Sequence, residues 1–134
     1  MKINNCKLVN LSSFCDNRGK LVFVEENELI PFNIKRIFYM FNHPPNTIRG
    51  GHAHINTEQF IISISGSFVV KLFDGENSIL YSMNEPNVGL FIPKMIWVDI
   101  LNLGPDDICL VLASEKYLES DYIRNIYNYL ERLK

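Results

Sequence analysis

Apolar residues in the middle of this chain come in short runs, at 21–25, 35–41, 59–65, 67–73, 78–82, 88–92, 96–101 and 108–113. The runs are rich in Ile, Val, Phe and Tyr, and Gly66, Asp74-Gly75, Glu85-Pro86 and Gly104-Pro105 punctuate them. β-Branched and aromatic runs bounded by turn formers read as strands. Many strands at close, even spacing predict an all-β sandwich or barrel. Gly66 and Asp74-Gly75 suit tight hairpins, because glycine accepts the positive φ that such turns need. The period changes only at the C-terminus, where Tyr122, Ile123, Ile126, Tyr127, Leu130 and Leu133 recur at three- and four-residue spacing. With Ser120 as N-cap, this predicts one short amphipathic helix packed on the outside of the sandwich.

Composition narrows the class. The 134 residues, 47% hydrophobic and 21% charged, suit a single domain spanning 1–134, and no stretch has the composition of a linker. A net charge of −2 excludes the basic footprint of a nucleic-acid binder. The 9 Phe, 6 Tyr and 1 Trp are enough to fill one core. Cys6, Cys15 and Cys109 show neither Cys-x-x-Cys spacing nor a zinc pattern and read as reduced, mostly packed thiols. The first ten residues have no apolar signal segment, and no run approaches the ~20 residues that cross a bilayer. The expectation is a cytoplasmic protein.

The chemistry concentrates in Arg49-Gly50-Gly51-His52-Ala53-His54-Ile55-Asn56-Thr57-Glu58-Gln59. His52, His54 and Glu58 share parity, so on an extended segment both imidazoles face one side, with the carboxylate able to join them. Three readings compete: two packed histidines, a metal site, and metal-free acid–base chemistry. Gly, His-x-His, three residues and Glu, followed by Gly66, resembles the first metal-binding motif of the cupins. There a further histidine is expected from a second motif, here 89–99, and Val98 stands in its place. The favoured reading is the third. An imidazole with an ordinary pKa of about 6.5 can take and return a proton near neutrality.

A wider set of residues resembles one family. Arg18-Gly19-x-Leu21-Val22, Ile30-Pro31-Phe32-x-Ile34-Lys35-Arg36-x-x-Tyr39, the His52-x-His54 segment, Val88-Gly89-Leu90 with Trp97, and Leu110–Ser114 followed by Asp121-Tyr122-Ile123-Arg124 look like the nucleotide-sugar 3,4-ketoisomerases, small cupins of the WxcM-like group. The resemblance runs from about Asp16 to Tyr127. It implies a cupin jelly roll, a homodimer, and isomerisation of a dTDP-4-keto-6-deoxyhexose such as dTDP-4-keto-6-deoxyglucose to the 3-keto isomer, without metal or cofactor, on a route to surface-glycan sugars. It makes His52 and His54 the proton-transfer residues.

Within that reading His54 is taken as the base at carbon and His52 as its partner at the oxygens, an order the spacing does not fix. Tyr39 is the candidate for hydrogen bonding the developing enediolate. Arg49 is the first choice for the diphosphate, followed by Arg18, with Arg36 and Arg124 as weaker candidates, since arginine makes forked contacts to phosphate. Glu58 and Gln59 are assigned to substrate binding, and Trp97 to stacking on thymine or sugar. Val98, where many relatives have His, puts product stereochemistry in question. The alternatives are a 3,5-epimerase, expected to pair a single base histidine with an aspartate and to carry a catalytic Tyr, and a non-catalytic nucleotide-sugar-binding cupin.

Overall fold

The computed structural model describes residues 2–134. Two five-stranded antiparallel sheets lie face to face as a jelly roll. The first has the spatial order β1 (Lys7–Asn10), β9 (Val88–Ile92), β6 (Gln59–Ser65), β11 (Ile108–Ala113) and β4 (Arg36–Met40). The second runs β12 (Tyr122–Ile123), β5 (Thr47–His54), β10 (Trp97–Leu103), β7 (Phe68–Phe73) and β8 (Ser78–Met83). A separate hairpin of β2 (Ser13–Asp16) and β3 (Gly19–Val22) pairs with neither sheet. The apolar runs from 35 onward thus became strands, whereas the first, expected at 21–25, moved to Gly19–Val22.

Alternation decides which side chains meet. Ile61, Val70, Leu72, Leu90, Val98, Ile100 and Val111 project between the sheets and form the main core. Their strand neighbours Phe60, Ile62, Phe91 and Leu112 face the other side of the first sheet, where Ile30 and Phe32 cover them. That second cover is why β6 reads as an unbroken apolar run, the mark of a strand buried on both faces. Each such side chain removed from water contributes about 1.5–3 kcal/mol.

The end of the sandwich at the β6–β7 turn is closed by Asp107. Its Oδ1 accepts from the Ser67 N–H at 2.8 Å and its Oδ2 from the Gly104 N–H at 2.6 Å. His43 Nδ1 donates to the Gly104 carbonyl at 3.3 Å. Gly66 turns with φ +77, and a Cβ there would lie 1.9 Å from Asp107 Oδ1, so the turn accepts no other residue unchanged.

The C-terminus departs from the sequence reading. The helix α1 covers only Ile126–Arg132, and its N-cap is Asn125, whose Oδ1 accepts from the N–H groups of Tyr127 and Asn128 at 2.9 and 3.1 Å. Ser120 lies in a 3₁₀ turn (Glu119–Asp121). Tyr122 and Ile123 form β12, opposite His54 and Ala53 of β5. Both residues fit helical spacing, but the unpaired edge of β5 offers them backbone hydrogen bonds that an isolated extra turn of helix could not match. The helix does pack on the outside of the second sheet: Tyr129 is fully buried, and its hydroxyl donates to the carbonyls of Phe73 and Met95 at 3.0 and 2.9 Å. Among the described residues no helix is long and apolar enough to cross a membrane.

Candidate active site

The site is built on β5. Gly50 and Gly51 have φ of +89 and +71, and a Cβ on Gly50 would lie 2.6 Å from the Val98 carbonyl oxygen. The pairing of β5 with β10 shifts register here. The glycines therefore let the strand bend against β10 just before the histidines. His52 and His54, two residues apart, turn to the same side, with ring centroids 5.0 Å apart at 79°. Tyr122 of β12 completes an aromatic triangle, 5.0 Å from His52 and 4.4 Å from His54.

This triangle borders a cavity of about 250 Å³ lined by Phe38, Met40, Arg49, His52, Gln59, Val98, Tyr122 and Arg124, with Ile61, Ile100 and Val111 as its floor. His52 is part of the lining; His54 is more deeply buried and not part of it. Burial pushes the His52 pKa down to about 4, assisted by repulsion from His54 and Arg124 and opposed by Asp99. Burial also lowers that of His54, against the opposing pull of Asp121. Both rings are therefore neutral at pH 7.

His54 Nδ1 lies 3.2 Å from Asp121 Oδ2, which also accepts from the Thr57 hydroxyl at 2.5 Å, while Asp121 Oδ1 accepts from the Asn56 N–H at 2.7 Å. Arg36 Nε, His52 Nδ1 and His54 Nε2 are buried without a hydrogen-bond partner. A buried unsatisfied polar group costs about 1–3 kcal/mol, so polar atoms left open around one cavity are the mark of a site that a ligand completes.

The expected residues divide clearly. His52, Arg49, Gln59 and Arg124 line the cavity, with His54 beside it. Arg36 donates to the Tyr122 hydroxyl at 3.4 Å and lies over the rings of Phe38 and Tyr117. Arg49 makes no ion pair among the described residues, whereas Arg124 is held by Glu119 through contacts of 2.7 and 3.0 Å.

Four others of the expected residues do not line this cavity in the single chain. Tyr39 is 62% exposed on the outer face of β4, since Arg36, Phe38 and Met40 take the inward parity. Trp97 projects from β10 away from Val98 and Ile100, and its ring packs on Tyr129 at 5.5 Å. Glu58 does not follow the parity of the histidines, because β5 ends at His54 and the chain turns before β6; its backbone N–H bonds the Ser114 hydroxyl, and it lines no part of the cavity. Arg18 stands at the tip of the β2–β3 hairpin, exposed and paired with Asp16 at 2.7 Å.

With Glu58 elsewhere, the cupin two-histidine, one-glutamate set is not assembled, and no group of three or more His, Cys, Asp or Glu among the described residues has metal-site geometry. Two residues that sequence reasoning did not assign to the site belong to it, Asp121 and Tyr122. Their signal was the Asp121-Tyr122-Ile123-Arg124 motif itself, absorbed into a helix by its apolar spacing. The Asp121 contact also supplies the His–Asp pair expected of the epimerase alternative, so that feature does not separate the two reactions.

A jelly roll with two neutral imidazoles and a tyrosine at a cavity that also carries Arg49, Gln59 and Arg124 defines a cupin suited to proton transfer. The signature of the WxcM-like, C-terminal (FdtA) family matches residues 4–134, and the chain belongs to this family. It is 39% identical over 123 residues to the TDP-4-oxo-6-deoxy-alpha-D-glucose-3,4-oxoisomerase of Aneurinibacillus thermoaerophilus, covering 92% of this chain and 88% of that protein. The TDP-quinovose 3,4-ketoisomerase of Campylobacter jejuni superposes with a TM-score of 0.90 at 44% identity, over 95% of this chain and 98% of that one. A mutant of the 3,4-ketoisomerase QdtA of Thermoanaerobacterium thermosaccharolyticum, solved with TDP-4-keto-6-deoxyglucose, superposes with a TM-score of 0.93 at 32% identity, over 96% and 94% of the two chains.

Proposed function

We propose that this protein is a nucleotide-sugar 3,4-ketoisomerase acting on a dTDP-4-keto-6-deoxyhexose. The observation that carries the reading is the pair of neutral imidazoles 5.0 Å apart at one cavity, in a chain of this family. The C4 ketone acidifies the C3 hydrogen, so a base on the correct face removes it to give an enediol. Return of a proton at C4, with transfer between the two oxygens, completes the isomerisation. No net oxidation occurs, and the steps need only groups that take and return protons.

Access favours the reverse of the order adopted with the family resemblance. His52 lines the cavity and is the group for transfer between C3 and C4, and His54, set behind it, serves the oxygens. Tyr122, with its hydroxyl held by Arg36, takes the role given to Tyr39. A cavity of about 250 Å³ is below the ~300–1,000 Å³ usual for whole ligands, so it takes the hexose ring and leaves the nucleotide at the mouth. Arg49, free of a carboxylate, is the primary diphosphate contact, with Arg124 beside it.

The homodimer belongs to the same proposal. Ile37, Tyr39 and Ile64 are exposed on the outer face of the first sheet, and the β2–β3 hairpin exposes Phe14 and Leu21. Apolar patches of this kind fit a second copy of the chain. Arg18 remains a substrate contact only in such a dimer, because in the single chain it does not line the cavity. A cytoplasmic location is supported by three free cysteines, two of them, Cys6 and Cys109, buried with pKa values pushed up to about 12 by burial.

Incubation with dTDP-4-keto-6-deoxyglucose in deuterated water, followed by NMR of the ring protons, tests the reading. Exchange or migration at C3 and C4 is the expected result. Label confined to C3 and C5 would indicate 3,5-epimerisation, and an unchanged sugar would indicate a binding module. Stoichiometric transition metal in the purified protein would overturn the metal-free route.

A further inference from the structure

The carboxylate of Asp121 is the one acidic group in direct contact with the histidine pair among the described residues. It is buried, and three donors from the single stretch 54–57 converge on it: the Asn56 N–H on Oδ1, and the Thr57 hydroxyl and His54 Nδ1 on Oδ2. We propose that Asp121 is a positioning residue that locks His54 in the tautomer with hydrogen on Nδ1, leaving the Nε2 lone pair as the working end beside His52 and Tyr122. The proposal rests on the ketoisomerase reading for its consequence in turnover, but not for the tautomer itself.

An ionised carboxylate only accepts, so the nitrogen facing it must carry the proton. Burial acts to raise the pKa of Asp121, and the bonds from Thr57, Asn56 and His54 outweigh it and hold the group ionised at neutral pH. The other nitrogen, Nε2, is buried and without a partner, as a group kept for a transient proton would be. Tyr122 and Asp121 are neighbours on one short segment. The strand pairing that sets the tyrosine against both imidazoles therefore also delivers the carboxylate to the back of one of them.

Asp121→Asn isolates the effect with little change in shape. The Asn56 N–H still requires an acceptor, so it takes the amide oxygen at the Oδ1 position. The amide nitrogen then occupies the Oδ2 position, facing His54 Nδ1 and Thr57. The threonine hydroxyl can reverse its role and accept. The imidazole must accept as well, which moves its hydrogen to Nε2 and occupies the lone pair the reaction uses. In the serine-protease triad, the corresponding exchange of Asp for Asn drops kcat about 10⁴-fold through the wrong tautomer.

The test combines two readouts on the full-length protein. Nitrogen-15 NMR of the histidine side chains is expected to show His54 protonated at Nδ1 in the wild type and at Nε2 in Asp121→Asn. Turnover of dTDP-4-keto-6-deoxyglucose is expected to fall about 10³-fold or more in kcat with KM within a few-fold, because the variant leaves the cavity lining intact. Thr57→Val, which removes one donor to Asp121 without supplying a new one, is expected to keep the wild-type tautomer and most of kcat. This control separates tautomer control from general damage to the buried network. His54 protonated at Nε2 in the wild type, or Asp121→Asn that is folded and turns over at the wild-type rate, would overturn the proposal. A tautomer switch in a protein that never isomerises the sugar would uphold the positioning role and overturn the functional reading alone.

Discussion

The two ends of the sandwich each bury an aspartate, and the two are used in opposite ways. Asp107, at the β6–β7 end, accepts from two backbone N–H groups of neighbouring turns, which have no proton to exchange near neutrality. Asp121, at the β5–β6 end, accepts from one backbone N–H, one hydroxyl and one imidazole, and the imidazole can titrate. Around Asp121 the buried atoms Arg36 Nε, His52 Nδ1 and His54 Nε2 are left without partners. A carboxylate that ties loops together and one that directs a histidine look alike in sequence; the partners make the difference. One end of the barrel contributes stability, and the other holds polar groups open for chemistry at some cost in stability.

The contrast can be broken by mutation, beginning with the largest effect. His52→Asn removes the imidazole that lines the cavity, and kcat is expected to fall at least 10³-fold with the melting temperature nearly unchanged, as measured by NMR turnover and calorimetry. Retained turnover would remove His52 from the reaction. Asp107→Ala leaves the Ser67 and Gly104 N–H groups unsatisfied, at a cost of about 2–4 kcal/mol of unfolding free energy in urea titration, while kcat per folded molecule stays the same. Loss of kcat at unchanged stability would erase the distinction between the two ends. Tyr122→Phe is expected to lower kcat ten- to a hundredfold, and Tyr39→Phe to leave it unchanged. The reverse result would restore the assignment made from sequence.

Acidification gives the smallest effect and acts on the active-site end. His52 is held down at about 4 in the folded protein, and His54 is also lowered, against about 6.5 in an unfolded chain. Between those values the unfolded chain binds protons that the folded one refuses, so stability is present above about pH 6.5 and is lost as pH falls. From pH 7.5 to 6 the expected loss is roughly 1 kcal/mol for a histidine shifted as far as His52. His52→Asn should flatten the profile of melting temperature against pH. An unaltered slope would mean that His52 titrates normally.

Much of the fold was legible in the chain, for reasons that particular residues show. The run 108–113 reads as a strand and is one, because β-branched and aliphatic side chains there are buried whichever face they take. His52-x-His54 could be set on one face because the side-chain period of a strand is two. Arg49, Gln59 and Arg124 were nominated and do line the cavity. Parity was also where the reading failed. Glu58 shares the parity of the histidines only if the strand continues through Ile55, Asn56 and Thr57, and it stops at His54. Tyr39 and Trp97 lie in strands found correctly, but nothing local says which face is inside.

The sequence by itself determined the all-β class, the histidine pair with the glycines that bend the strand before it, and the family. These depend on side-chain period, turn chemistry and local spacing, which act over a few residues. Tertiary structure alone decided that Asp121 and Tyr122 complete the site. Their spacing to neighbours satisfies a helix, and only the free edge of β5, 67 residues earlier for the Asp121–His54 contact, turns them into a strand. A backbone edge left unpaired at one point of the fold thus recruits a distant segment, and that segment carries the carboxylate and hydroxyl that the histidines lack on their own strand.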